Sequence, residues 1–119
     1  MALDWVQKLL AECLGFTPFP ATLNMRPARE EDAAAWESIR NDAALYSHMP
    51  AHQGSCLARI YRVRIETAAA GGSRATAGAV LLPEVKGYPK DKIEIVASMR
   101  LKDVFGLQDG DPLRLEFFN

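Results

Sequence analysis

The stretch CLARIYRVRIE, running from Cys56 to Glu66, is dense in residues that favour an extended chain. Leu57, Tyr61, Val63 and Ile65 fall on odd positions and make one apolar face, interrupted by Arg59. A period of two puts alternate side chains on one side of a pleated strand. Just downstream, TAAAGGSRATA reads as a turn with Gly71-Gly72 at its tip, and AGAVLLP reads as the returning strand. KIEIVAS is a further strand, with Ile93 and Ile95 on one face and Glu94 on the other. PLRLEFF closes the chain, Leu113, Leu115 and Phe117 alternating with Arg114 and Glu116. Between the last two strands, Ser98 is placed to cap a short helix that runs through Phe105 and stops at Gly106. DGD at 109–111 is a tight-turn signal.

Upstream the pattern differs. Leu3, Val6, Leu9, Leu10 and Cys13 recur at spacings of three and four, which predicts a helix over residues 2–14 with Gly15 as its stop. In GFTPFPATLN, Pro18 and Pro20 forbid helix and stiffen the chain. Thr22–Arg26 then reads as a short strand, with Leu23 and Met25 on one side and Thr22, Asn24 and Arg26 on the other. So rigid a lead-in suits a strand whose polar face must hold Thr22 and Asn24, two hard oxygen donors, in fixed positions. Residues 29–47 are acidic and alanine-rich. Within them EEDAAAWESIR reads as a helix with its acids in the first turn and Arg40 in the last, matching the helix dipole, the alternative being an extended excursion over the surface. Together these elements predict one domain over residues 1–119, mainly β with short helices, closed as a small β-barrel.

Composition bounds the function. A net charge of −1 over 119 residues gives no general attraction to nucleic acid or to an acidic membrane, so any phosphate site must be local. No apolar run approaches the roughly 18 residues that a membrane-spanning helix needs, and the N-terminus carries Asp4 and Glu12 instead of a basic leader. The expectation is a cytoplasmic protein with neither a nucleic-acid nor a membrane partner. Cys13 and Cys56 form no metal-binding spacing and read as free thiols. His48 and His52 are four apart, but Pro50 between them argues against a shared helix face.

LGFTPFPATLN, GAVLLPE and YPKDKIEIVASMRLKDVFGLQDGD, in that order, resemble the archaeal-type CTP-dependent riboflavin kinases. That family shows G-F-x-P-[FY]-x-G-T-L-N, and later Y-x(5,6)-E-I-[IV]-A-P-x-x-L-R followed by L-x-x-G-D. The resemblance runs from residue 9 onward and is weakest over residues 28–56. It implies a six-stranded cradle-loop barrel that moves a phosphoryl group from CTP to the 5′-hydroxyl of riboflavin, giving FMN and CDP. It implies Mg²⁺ held by Thr22 and Asn24, which agrees with two oxygen donors on one strand face. It implies that Glu94 contacts the flavin, where a carboxylate could also serve as general base. It implies that Met99, Arg100, Leu101 and Lys102 meet the nucleotide. An outward-facing strand glutamate and solvated Arg100 and Lys102 are the structural alternatives.

The chain departs from the pattern in named places. The glycine before T-L-N is Ala21, the proline of A-P is Ser98, and the later L-R is Leu101-Lys102. A flavin-contacting threonine falls at Gly87. The resemblance also implies a glycine-rich G-x-G-E-G segment ahead of the first helix, which this sequence does not show. From that follow the expectation of a barrel incomplete at its N-terminus, and of a homodimer that covers the exposed strand edges. Two other uses stay open beside the kinase: a flavin- or nucleotide-binding module without chemistry, and a structural dimerisation barrel.

Overall fold

The computed structural model describes residues 11–12, 14–16, 22–49, 58–67, 74–84, 86–108 and 110–118. The chain folds around two long strands, β3 (Ala58–Thr67) and β4 (Arg74–Pro83), which pair antiparallel over their full length from Ala58↔Pro83 to Thr67↔Arg74. Ahead of them come β1 (Leu23–Met25), helix α1 (Glu30–Arg40) and β2 (Tyr46–Met49). After them come β5 (Ile93–Val96), helix α2 (Leu101–Phe105) and β6 (Arg114–Phe117). The sheet order is β1-β5-β4-β3-β2, every pair antiparallel. β6 shares the β3 edge with β2, β2 along Ala58–Tyr61 and β6 along Val63–Glu66.

Alternation buries one face of β3 and β4 in the core, and around residues 58–60 and 79–81 the opposite face is buried as well. Tyr61, Val63, Ile65, Val80, Leu82, Ile93 and Ile95 join Trp36 of α1 and Leu101 and Phe105 of α2 in one core. Leu23 and Met25 from β1, and Leu113, Leu115 and Phe117 from β6, pack against that same core. The two ends of the sheet therefore reach one interior, and the six strands with two short helices make a small, barrel-like fold. No ladder joins β1 to β6 among the described residues. Ile60, Leu81 and Val96 point the other way and form a second cluster with Ala58 and Ala79, to which Leu14 and Phe16 add from the N-terminal side.

Most predicted elements are present. The strands read at 56–66, 77–83, 92–98 and 112–118 are present with edges shifted by a few residues, and the alternating faces read for residues 61–65, 93–95 and 113–117 form as expected, Leu57 lying outside the described residues. α1 matches EEDAAAWESIR in extent and in its charges. Ala11, Glu12 and Leu14 are helical, and Gly15, at φ 81°, donates its N–H to the Ala11 carbonyl as a stop should. Gly106 ends α2 in the left-handed region at φ 64°. Ser98 does not cap that helix. α2 begins at Leu101 with Arg100 in the capping position and no side chain on the free N–H groups. β2 was not foreseen. The predicted Gly71-Gly72 tip, the Pro18/Pro20 turn, Ala21, both cysteines and His52 lie outside the described residues.

Candidate functional site

Two adjoining clefts open beside β1. One, of about 180 Å³, is bounded by Thr22 and Leu23 on one side and by Met99, Arg100, Leu101 and Lys102 on the other, with Ile95 and Ala97 as its floor. The second, of about 280 Å³, lies between β1 and the turn that leads into β6. Thr22, Asn24, Lys102, Gln108 and Asp111 line it. Thr22, Leu23 and Lys102 belong to both. The T-L-N segment and the Met99–Lys102 segment, distant in sequence, are thus brought together where β1 and β6 fail to pair.

Strand geometry explains what each residue can present. Leu23 and Met25 face the core, so Asn24, between them, is exposed on the opposite face. Asp111 is tied into its own turn, accepting from the Gln108 N–H at 2.8 Å. Arg100 reaches Asp103 at 3.3 Å in an exposed pair, worth little in water. Leu101 lines the first cleft but is 4% exposed and belongs to the core, so toward a ligand it offers mainly backbone. Met99, at the rim, is the more exposed apolar side chain there.

Glu94 lines neither cleft. It sits directly opposite Asn24 in the β1–β5 ladder, so both project from the same face of the sheet. Its side chain is only 19% exposed and lies 3.2 Å from Lys92 Nζ. On a simple barrel this outward face would be open to water. Here the second apolar cluster occupies it, with Val96 beside Glu94 on β5 and Leu81 across from it on β4. Lys92 in turn lies over the Tyr88 ring, 5.5 Å from its centroid. Burial first, then the hydroxyl's close approach to the Glu94 carboxylate as a hydrogen-bond donor, and then that carboxylate's charge push the Tyr88 hydroxyl well above its ordinary ionisation range. Tyr88 heads the YPKDKIE segment, and sequence reasoning overlooked it as a site residue.

Two positions bear on ligand chemistry. Gly87 stands at φ 87° with open space around its α-carbon, a backbone state that strains a β-branched residue. Among the described residues no three His, Cys, Asp or Glu side chains gather as metal ligands. Hard-cation binding here would rest on neutral oxygens of the Thr22 and Asn24 kind, together with ligand oxygens.

Fold and site define a small antiparallel barrel-like protein with a polar cleft pair at its open β1 edge. The family model CTP-dep_RFKase, described as "Domain of unknown function DUF120", matches residues 1–117. The chain is 35% identical over 112 residues to a protein of Aeropyrum pernix named riboflavin kinase, covering 92% of this chain and 79% of that one. It is 31% identical over 122 residues to the riboflavin kinase of Pyrobaculum calidifontis, covering 99% of this chain and 52% of that protein. With the riboflavin kinase of Methanocella arvoryzae it shares 31% over 121 residues, 97% of this chain and 48% of the relative. This chain belongs to the CTP-dep_RFKase family. It spans about half the length of several of the curated relatives it matches.

Proposed function

We propose that this chain is a riboflavin kinase domain that transfers a phosphoryl group from CTP to the 5′-hydroxyl of riboflavin, yielding FMN and CDP. The observation that carries this reading is the pairing of Asn24 with Glu94 across β1 and β5, next to clefts that share Thr22 and Lys102. Thr22 Oγ1 and Asn24 Oδ1 fit a hard divalent cation, because they are oxygen donors at alternate positions of one extended stretch, Asn24 on β1 and Thr22 immediately before that strand. Mg²⁺ held there would offset the charge of the nucleotide phosphates. Met99 to Lys102 lie along the nucleotide, Lys102 supplying positive charge at the junction of the clefts. Glu94 accepts the proton of the attacking hydroxyl as the new O–P bond forms and the bond to CDP breaks. Positioning dominates phosphoryl transfer, which suits donors fixed on strands.

The test is FMN formation from riboflavin and CTP with Mg²⁺, in the wild type and in Asn24→Ala. Asn24 is exposed on its strand, so Asn24→Ala is expected to fold and to lose metal-dependent turnover. A wild type that forms no FMN with any nucleoside triphosphate would overturn the kinase reading.

A second reading, a flavin- or nucleotide-binding module without chemistry, is favoured by Gly87, since a glycine there cannot make the side-chain contact that the resemblance assigns to a threonine. On that reading riboflavin, FMN or CTP raises the melting temperature without turnover. A ligand at a hundredfold excess over its Kd adds about 2.7 kcal/mol of stability.

A further inference from the structure

Two buried side-chain polar atoms among the described residues lack a hydrogen-bond partner, Trp36 Nε1 and Tyr88 Oη. Native interiors rarely leave such groups unpaired, so each calls for a reason. Trp36 is enclosed by aromatic rings, with Tyr61 at 5.5 Å and Phe117 at 5.8 Å between centroids. Tyr88 is different, because its surroundings include a carboxylate. Lys92 Nζ ties the two together, 3.2 Å from Glu94 Oε1 and 5.5 Å from the centre of the Tyr88 ring. Glu94 therefore has one oxygen engaged by Lys92, and beside it a buried phenol whose hydroxyl interacts with the carboxylate without reaching full hydrogen-bonding geometry.

We infer that Tyr88 is a positioning residue for Glu94, its hydroxyl donating to the carboxylate once riboflavin is bound and so fixing which oxygen faces the acceptor hydroxyl. The inference rests on the role proposed above for Glu94 and goes beyond it by naming what holds that side chain. At rest the hydroxyl is buried without a fully formed hydrogen bond, a cost that a purely structural residue would avoid by being phenylalanine. The ring alone suffices for packing, since Tyr88 is partly buried against the main core. Lys92 and Tyr88 approach the carboxylate as two donors, and an ionised carboxylate accepts at both oxygens. Held by both, it has a restricted set of orientations, which is what a base aimed at one hydroxyl needs.

The experiment compares wild type, Tyr88→Phe, Glu94→Gln and the double variant. Removing a buried, unpaired hydroxyl while keeping the ring should leave the melting temperature of the free protein unchanged or raise it. In the same variant kcat for FMN formation should fall by about ten- to a hundredfold, the worth of one hydrogen bond to a charged group. KM for CTP should stay unchanged. In the Glu94→Gln background the substitution at Tyr88 should cost almost nothing further. An unchanged kcat in Tyr88→Phe, full additivity with Glu94→Gln, or a drop in melting temperature would overturn the inference. If the wild type makes no FMN, the kinase reading fails and the riboflavin-induced shift in melting temperature becomes the readout. A shift reduced equally by Tyr88→Phe and Glu94→Gln, without additivity, would then support the Tyr88–Glu94 pairing. An equal shift in all four proteins, or none in any, would overturn it.

Discussion

Two polar clusters lie on opposite sides of this small sheet, and they are built on opposite principles. At the β2–β3 end, Arg59 donates to Glu84 at 3.1 Å and to the Arg40 carbonyl at 2.7 Å, while Tyr61 donates to that same carbonyl at 2.7 Å. His48 Nε2 lies 2.9 Å from Glu84, and the Arg59 guanidinium covers the Tyr46 ring at 4.4 Å. In this cluster Arg59, Tyr61, His48 and Glu84 each have a hydrogen-bond partner, and it fastens the C-terminal end of α1 to the sheet. At the β1–β5 end, Asn24 is exposed, Glu94 has one cation at hand, and Tyr88 Oη has no partner. A satisfied network rigidifies a fold, whereas a buried donor or acceptor left under-used calls for an explanation. On the function proposed above, the first cluster serves stability and the second serves chemistry.

The largest effect expected is in the second cluster. Glu94→Gln keeps shape but removes the proposed base, so on the kinase reading turnover should fall by about 10² to 10⁴-fold. Stability should change by less than about 1 kcal/mol, the worth of a partly exposed ion pair such as that with Lys92. Steady-state FMN formation and thermal melting measure the two quantities separately. A variant that melts early and turns over normally would break the comparison.

How much of this was legible in the sequence depends on whether local pattern or tertiary pairing decides each feature. Val63, Ile65, Val80, Ile93 and Ile95 announce a sheet by alternation, and they are the interior that forms. Leu23 and Met25 likewise give the orientation of Asn24. β2 escaped because Tyr46–Met49 is short and extends only by pairing with β3, a contact that its own residues do not signal. Ser98 was misread because the chain takes two more residues, Met99 and Arg100, before α2 begins, so its hydroxyl is out of reach of the free N–H groups. Glu94 looked solvent-facing because an isolated barrel has a wet exterior. That Leu14 and Phe16 contribute to an outer apolar cluster on this face is a long-range fact. Tyr88 stands within the YPKDKIE motif with no local signal of a role, since an incompletely bonded buried hydroxyl becomes visible only in three dimensions.

A middle-sized effect belongs to the first cluster. Arg59→Ala removes the donor to Glu84 and one of the two donors to the Arg40 carbonyl. Hydrogen bonds to charged groups are worth about 1.5–3 kcal/mol, so denaturant unfolding should show a loss of that order. FMN formation at a temperature where the variant stays folded should be unchanged. A specific fall in turnover would show that the two clusters are coupled, which would sharpen the comparison into a question of how α1 reaches β1.

The smallest effect separates the clusters by pH. Tyr61 has its ionisation raised above the ordinary value of 10.0, chiefly by burial, against the opposing pull of Arg59. Arg59 is held protonated even more firmly than usual, first through its hydrogen bond with Tyr61. A group whose folded pKa is raised contributes stability that is fully present below its unfolded pKa and is lost as pH rises through the folded value. Stability should therefore decline on the alkaline side of pH 10, with Tyr61 and Tyr88 both contributing, since Tyr88 is shifted in the same direction. Tyr61→Phe removes the titrating hydroxyl and one hydrogen bond to the Arg40 carbonyl, which keeps Arg59 as donor. At neutral pH the loss should be about 1 kcal/mol. Above pH 10 the gap between the variant and the wild type should narrow, because the variant no longer has that proton to lose. Tyr88→Phe should flatten the alkaline decline in the same way but with a smaller neutral-pH cost or none, since its hydroxyl has no fully formed hydrogen bond to forfeit. Melting temperatures from pH 7 to 11 for the three proteins measure this. If both variants lost equal stability at pH 7, Tyr88 Oη would be bonded within the folded protein, and the distinction between the two clusters would fall.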